Sequence, residues 1–260
     1  MLLPPALLER SSSAQMQNPT IASLAPSRIV APAPSYSFPT DKYVFSVRWQ
    51  FFNAGTSTVA MQRTPAGLRV TATADSAGMP DKFFRIHDQF NADVDPHTFC
   101  TLHVWKHNEE GPRRRDFDIV LDYAHRKSSL EAHDLKTSET KRSQFDIPPC
   151  ATDLVSGFFY VASLPLTPGF SHTFPVNDNG KTIDARIQVE ARETVKGPVG
   201  EFHTVRVKAE PMSGPMKGKA TILVWFTDDS RHMPVQMKSK LGFGTLSFQL
   251  QKFETQPSGK

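Results

Sequence analysis

The chain predicts a mainly β protein: a single large curved antiparallel sheet, a half-barrel of about a dozen strands, with one covering helix. Three observations carry this. Most segments after Asp41 alternate apolar and polar residues with the period of two that a half-buried strand requires. The joints between them are short and rich in Gly, Asn, Asp and Pro, which suits antiparallel pairing. Only one segment carries apolar residues at helical spacing.

Residues 1–40 read as a Pro/Ala/Ser-rich tether, with too few large apolar groups to offset the entropy of ordering. Its first part, Leu2-Leu3-Pro4-Pro5-Ala6-Leu7-Leu8 followed by Ser12-Ser13-Ala14, resembles the end of a secretory signal peptide that starts further upstream. A merely disordered N-terminus is the alternative. The β domain spans 41–254, and residues 255–260 form a tail.

Within the domain, Tyr43, Phe45, Val47 and Trp49 share one face of a first strand. Residues 56–63 run back after Asn53-Ala54-Gly55, and 68–74 follow the turn at Pro65-Ala66-Gly67. Strands are then expected at 82–90, 98–107 and 114–122. Residues 125–145 are polar and weakly patterned, which suggests one edge strand and a mobile loop. At 151–163, Leu154, Val155, Phe158, Phe159 and Ala162 recur at helical spacing, with Thr152 or Asp153 to cap the start and Pro165 to block continuation. After Asn177-Asp178-Asn179-Gly180, the residues from Ile183 to Ala191 alternate strictly, and strands at 202–208, 220–226, 234–241 and 245–251 complete the set. The run 222–226 is apolar on both faces and belongs inside a sheet.

The composition is ordinary for a globular chain of 260 residues, with 38% hydrophobic and 22% charged. A net charge of +4, from 30 basic against 26 acidic residues, is too small an excess to indicate nucleic acid. No run approaches the roughly 20 apolar residues that a membrane-spanning helix needs. The two cysteines, Cys100 and Cys150, have no zinc-finger or redox-motif spacing and leave free thiols or one disulfide equally open. Export would favour the disulfide.

One short helix cannot cover a whole concave face, so some of that face is filled by the sheet's own side chains or left for a ligand. Tyr43, Phe45, Trp49, Phe158, Phe159, Trp225 and Phe248 are the candidate lining of an apolar cavity; the 19 phenylalanines make self-filling the competitor. Asp228 and Asp229 are adjacent carboxylates in a turn and read as its structural cap, paired with Arg231, rather than as an acid/base pair. His103 and His107 would lie about 13 Å apart on a strand, too far to share a metal. Gly180-Lys181-Thr182 lacks the rest of a phosphate loop, and Arg113-Arg114-Arg115 reads as a solvated hairpin end, with headgroup or partner docking as the alternative. With no nucleophile elbow either, the expectation is no enzyme, no metal and no cofactor.

Several stretches together carry a family resemblance: YVFSVRWQFFNAG at 43–55, DLVSGFFYVASLPL at 153–166, GEFHTVRV at 200–207, and WFTDDSRHMPV at 225–235 followed by Gly242 and Gly244. In this order they resemble the bacterial family known as domain of unknown function 3108. The resemblance implies an exported envelope protein, similar in fold to periplasmic lipoprotein carriers that hold acyl chains in a curved half-barrel beneath a helical lid. An Arg often found just after the position of Tyr160 is Val161 or Ala162 here, which removes the anionic contact it would supply. The functional expectation is a non-enzymatic periplasmic binding or carrier domain for an acyl chain or lipoprotein lipid. The alternatives are a structural or assembly factor that binds a protein partner along a strand edge and, more remotely, a hydrolase.

Overall fold

The computed structural model describes residues 27–33, 36–242 and 244–255. The first meander comprises β1 (Asp41–Trp49), β2 (Phe52–Thr64), β3 (Gly67–Ser76), α1 (Gly78–Phe83), β4 (Ile86–Val94), β5 (Thr101–Glu110), β6 (Arg113–Asp122), β7 (Lys127–Asp134) and β8 (Thr140–Asp146). A crossing segment holds β9 (Thr152–Asp153) and α2 (Ser156–Ala162). The second meander is β10 (Ser171–Asp178), β11 (Lys181–Gly197), β12 (Gly200–Pro211), β13 (Thr221–Thr227), β14 (Pro234–Leu241) and β15 (Gly244–Thr255). All fifteen strands form one sheet in the order β8 to β1, then β15 down to β9. Pairing of the first long strand with the last, Tyr43 opposite Phe253 and Val47 opposite Phe248, joins the two meanders. Every pair is antiparallel except β9 with β10.

The alternation seen in the sequence is the alternation of the wall. On β1, Asp41, Tyr43 and Phe45 are buried while Lys42, Val44 and Ser46 are half-exposed. Met61, Leu68, Val70, Ala92, Val104, Ile119, Ile187, Val189, Val205, Val207, Val224 and Leu250 continue the inner layer around the sheet. A strongly twisted sheet of this width curls. Here it curls until its two ends meet.

Side chains rather than ladder bonds close that seam. The Ser128 hydroxyl donates to the Gly180 carbonyl at 2.8 Å. Gly180 has φ +80 and a Cβ there would lie 2.9 Å from the Phe145 ring, so the turn needs glycine twice over. Lys106 reaches across to Asp178 at 3.0 Å and to Asn179 at 3.2 Å. At the other end, the Thr101 N–H donates to the Ala151 carbonyl, and the disulfide Cys100–Cys150 bolts the crossing segment to the start of β5.

Four expectations change. Residues 82–90 are not one strand, because Gly78, Pro80 and Asp81 set a helical turn and the strand starts only at Ile86. Residues 125–145 form two ordered strands; their pattern is weak because cross-strand polar pairs, Arg142 with Glu131 and His133 with Thr140, replace apolar ones. The helix is shorter than 151–163, since Thr152 and Asp153 pair with β10. Order also begins before Asp41: Phe38 is buried and stacks on Phe99 with ring centres 5.1 Å apart, and the Val30 N–H donates to the Tyr160 hydroxyl. The expected signal remnant at 1–14 and the tail from 256 on lie outside the described residues.

Because the bridge closes a loop of 50 residues, replacing Cys100 and Cys150 together by serine is expected to lower unfolding free energy by about 3–4 kcal/mol. Urea denaturation of the variant beside oxidised and reduced wild type checks this. The reduced protein should match the variant, and an unchanged midpoint would contradict the seam-closing role.

Candidate functional site

Helix α2 lies inside the curl, with Ser156, Gly157, Phe159, Tyr160, Val161 and Ala162 all buried. It is fixed before its first turn by Asp153, whose Oδ1 accepts the N–H groups of Val155 and Ser156 at 2.8 Å each. Oδ2 accepts a hydrogen bond from the Thr101 hydroxyl at 2.8 Å, and that hydroxyl accepts the Asp153 N–H in return. A carboxylate only 2% exposed is tolerable because each oxygen has donors, and its charge faces the positive end of the helix.

The other end is held as firmly. The Ser163 hydroxyl donates to the Tyr160 carbonyl at 2.6 Å, and His232 Nδ1–H donates to the Ala162 carbonyl at 2.6 Å. The Tyr160 hydroxyl accepts the Val30 N–H and donates to His172 Nε2 at 3.0 Å. Burial pushes the Tyr160 hydroxyl up to about 12 and pulls His172 below its ordinary value, which keeps the imidazole neutral and able to accept.

Along the Phe158 flank of the helix lies an apolar pocket of about 50 Å³ between α2 and the inner faces of β1, β2, β13, β14 and β15. Five of the seven expected residues line it: Tyr43, Phe45, Phe158, Phe159 and Phe248. Trp225 does not. Its neighbours Val224 and Phe226 point inward, so it faces the outer wall, where its Nε1–H donates to Glu193 at 2.8 Å and Lys238 sits 5.4 Å from the ring centre. Trp49 does not either. It is the last residue of β1, where burial has already given way to exposure, and its indole packs at the sheet rim against Gly244. Strict alternation around Trp225 would have found Val224 and Phe226; Val59, Pro234 and Met237 are further wall residues that the sequence reasoning missed.

In the turn after β13 both aspartates are paired, with one change of partner. Asp229 accepts the Thr227 hydroxyl at 2.7 Å, the Arg231 N–H at 3.0 Å and the Arg231 guanidinium at 3.2 Å. Partial burial pushes its carboxyl up, but these donors outweigh that and hold it below the usual range. Asp228 pairs with Arg192 at 2.7 Å instead of with Arg231. His103 and His107 lie on the outer wall, each with its own carboxylate, Asp118 at 3.0 Å and Asp116 at 2.6 Å.

A second hollow, polar and about 260 Å³, opens at the end of the barrel away from α2, lined by Lys106, Asn108, Glu110, Arg113, Arg115, Phe117, Asp178 and Asn179. Beside it Asp88, opposite Asn108 on the neighbouring strand, is pushed up to about 6 by burial and by the charge of Glu110.

Asp153→Ala is expected to cost ~2–3 kcal/mol, because it leaves buried donors of Thr101, Val155 and Ser156 unpaired. Asp228→Ala, which removes only a surface pair, should cost less than about 1 kcal/mol. Chemical denaturation of both variants ranks them, and a reversed order would contradict the anchoring role of Asp153. The raised carboxyl of Asp88 makes a second prediction. The folded chain holds that proton longer than the unfolded one, so wild type loses stability as pH rises from about 4 through about 6. Asp88→Asn lacks that loss, so its advantage in melting temperature should grow across this window and stay constant above it. Parallel pH profiles of the two proteins would refute this if they simply ran at a fixed offset.

Comparison with known proteins agrees with this architecture. A crystal structure of a β-barrel-like protein of domain of unknown function DUF1849 from Brucella abortus superposes with a TM-score of 0.60 at 9% identity, covering 89% of this chain and 100% of that one. That likeness is one of fold alone. A protein of Bacteroides fragilis described as exported, with a YmcC-like fold, gives a TM-score of 0.35 at 10% identity over 84% of this chain and 97% of its own. A protein of Parabacteroides distasonis described as a lipoprotein gives 0.32 at 10% identity, with the same two coverages. Both are too distant to carry an argument. A search of curated proteins finds no match. The sequence profile of one family does match residues 44–251, from within β1 to within β15: this chain belongs to DUF3108, a family of proteins of unknown function.

Proposed function

We propose that the protein is a non-enzymatic, exported binding domain that holds the acyl chain of a lipid or lipoprotein between α2 and the inner wall. The observation that carries this reading is the chemistry of the pocket. Its lining is carbon almost throughout, and its polar side chains are already engaged, Ser57 and His232 with the carbonyls of Thr73 and Ala162 and the Tyr43 hydroxyl with Asp41. A surface of this kind rewards an apolar occupant and offers a reacting group nothing to work with.

With α2 held at both ends, the helix acts as a fixed wall and not as a hinged lid. At about 50 Å³ the pocket has room for a few methylene groups, so a longer chain enters by rotation of Phe158, Met237 and Phe248, which are only half-buried. The Cys100–Cys150 bridge supports an oxidising, exported location such as the periplasm. The small pocket also favours a second reading, a structural or assembly factor of the envelope whose interior is self-filled and which binds a protein partner.

Native mass spectrometry of protein made in a bacterial periplasm separates the two. The carrier reading expects a lipid adduct, or uptake of added palmitate, that Val59→Trp abolishes by filling the pocket while melting stays normal. A clean apo mass with no uptake by wild type sinks the carrier and favours the scaffold.

A further inference from the structure

Strands that alternate in direction place every second connection at the same end of the barrel. The turn after β1, helix α1, the turn after β5 and the turn before β15 therefore share the end opposite α2. Hydrogen bonds tie them into one surface. The Ala77 N–H donates to the Ala54 carbonyl, the Gly111 N–H to the Arg85 carbonyl, and the Gln50 N–H to the Thr245 carbonyl.

This surface carries large apolar side chains that lie outside the core. Phe51 is 85% exposed and Phe83 81%, with Trp49, Phe52, Met79 and Phe84 also exposed around them. Arg48, Lys82, Arg85 and Lys240 border the same turns and form no ion pair among the described residues. The acids Asp81, which accepts the Ser76 hydroxyl, and Glu110, which accepts the Asn108 amide, flank the same turns but are fewer than these cations.

We propose that this end of the barrel docks on the surface of an anionic lipid bilayer, with the phenylalanine tips in the headgroup boundary and the four cations against lipid phosphates. The side chains project from separate turn tips, so a flat, deformable partner meets them all at once. Aromatic tips ringed by cations that form no ion pair among the described residues match the two layers of such an interface, apolar below and anionic above. A second copy of the chain fits worse, because a two-fold contact through this face would set its cations against the same cations. The inference is independent of what the interior holds.

Co-sedimentation of the full chain with vesicles tests it. Equimolar phosphatidylcholine and phosphatidylglycerol should bind at least about tenfold better than phosphatidylcholine alone at low salt, and high salt should weaken that binding. Phe51→Ser with Phe83→Ser should lower it by about tenfold or more while circular dichroism and melting stay unchanged, since neither ring packs in the core. Lys82→Glu with Arg85→Glu should remove the preference for phosphatidylglycerol. No sedimentation of wild type with either vesicle overturns the proposal. So does equal binding of the phenylalanine variant, or a wild-type dimer on size exclusion that this variant converts to monomer.

Discussion

The architecture depends on one buried carboxylate. Asp153 is the last residue of the crossing segment that runs as strand and the group from which α2 starts, so its hydrogen bonds settle two things together: where the helix enters the curl and how the crossing segment meets β5. A charge in that position is stable only while every donor stays in place. The neighbouring disulfide and the Thr101–Ala151 backbone bond keep them there. Without this junction the sheet would still twist, but nothing would tell the middle of the chain to fold inward.

Legibility from sequence followed the contrast between the two faces of a strand. Where one face is dry and the other wet, as on β1 and β11, the period of two gave element and orientation together. Where polar pairs line one face and the other is only sparsely apolar, as on β7 and β8, the same rule saw one edge strand and a loop. For the pocket, alternation was a better guide than size. Trp225 drew attention because it is large, yet an indole with a polar handle can bury itself on the outer wall against Glu193 and Lys238. The misplacement of Trp49 has another cause, because it ends β1 at the exposed rim and a period of two carries no information about position along a strand. The disulfide was undecidable from spacing, since only the fold brings residues 50 apart to a Cα separation of 5.2 Å.

The interior divides into two chemical zones. Around α2 it is apolar and tightly filled, with Tyr43, Phe99, Tyr160 and Phe226 almost wholly enclosed. Toward the other end the inner wall turns polar, with Lys106 bridging to Asp178 and Asp88 raised by burial and by Glu110.

The pairing of β1 with β15 has a consequence for how the protein is made. Ser46 and Gln251, which meet in that pair, are 205 positions apart in the chain. The first meander can form hairpins as it emerges, but its β1 edge stays open until β15 has been synthesised. Loop closure over such a span is slow compared with local hairpin formation. During that interval the open edge is free to pair with a neighbouring chain. The β1 edge is therefore the part of the nascent chain most open to wrong pairing until the last strand arrives.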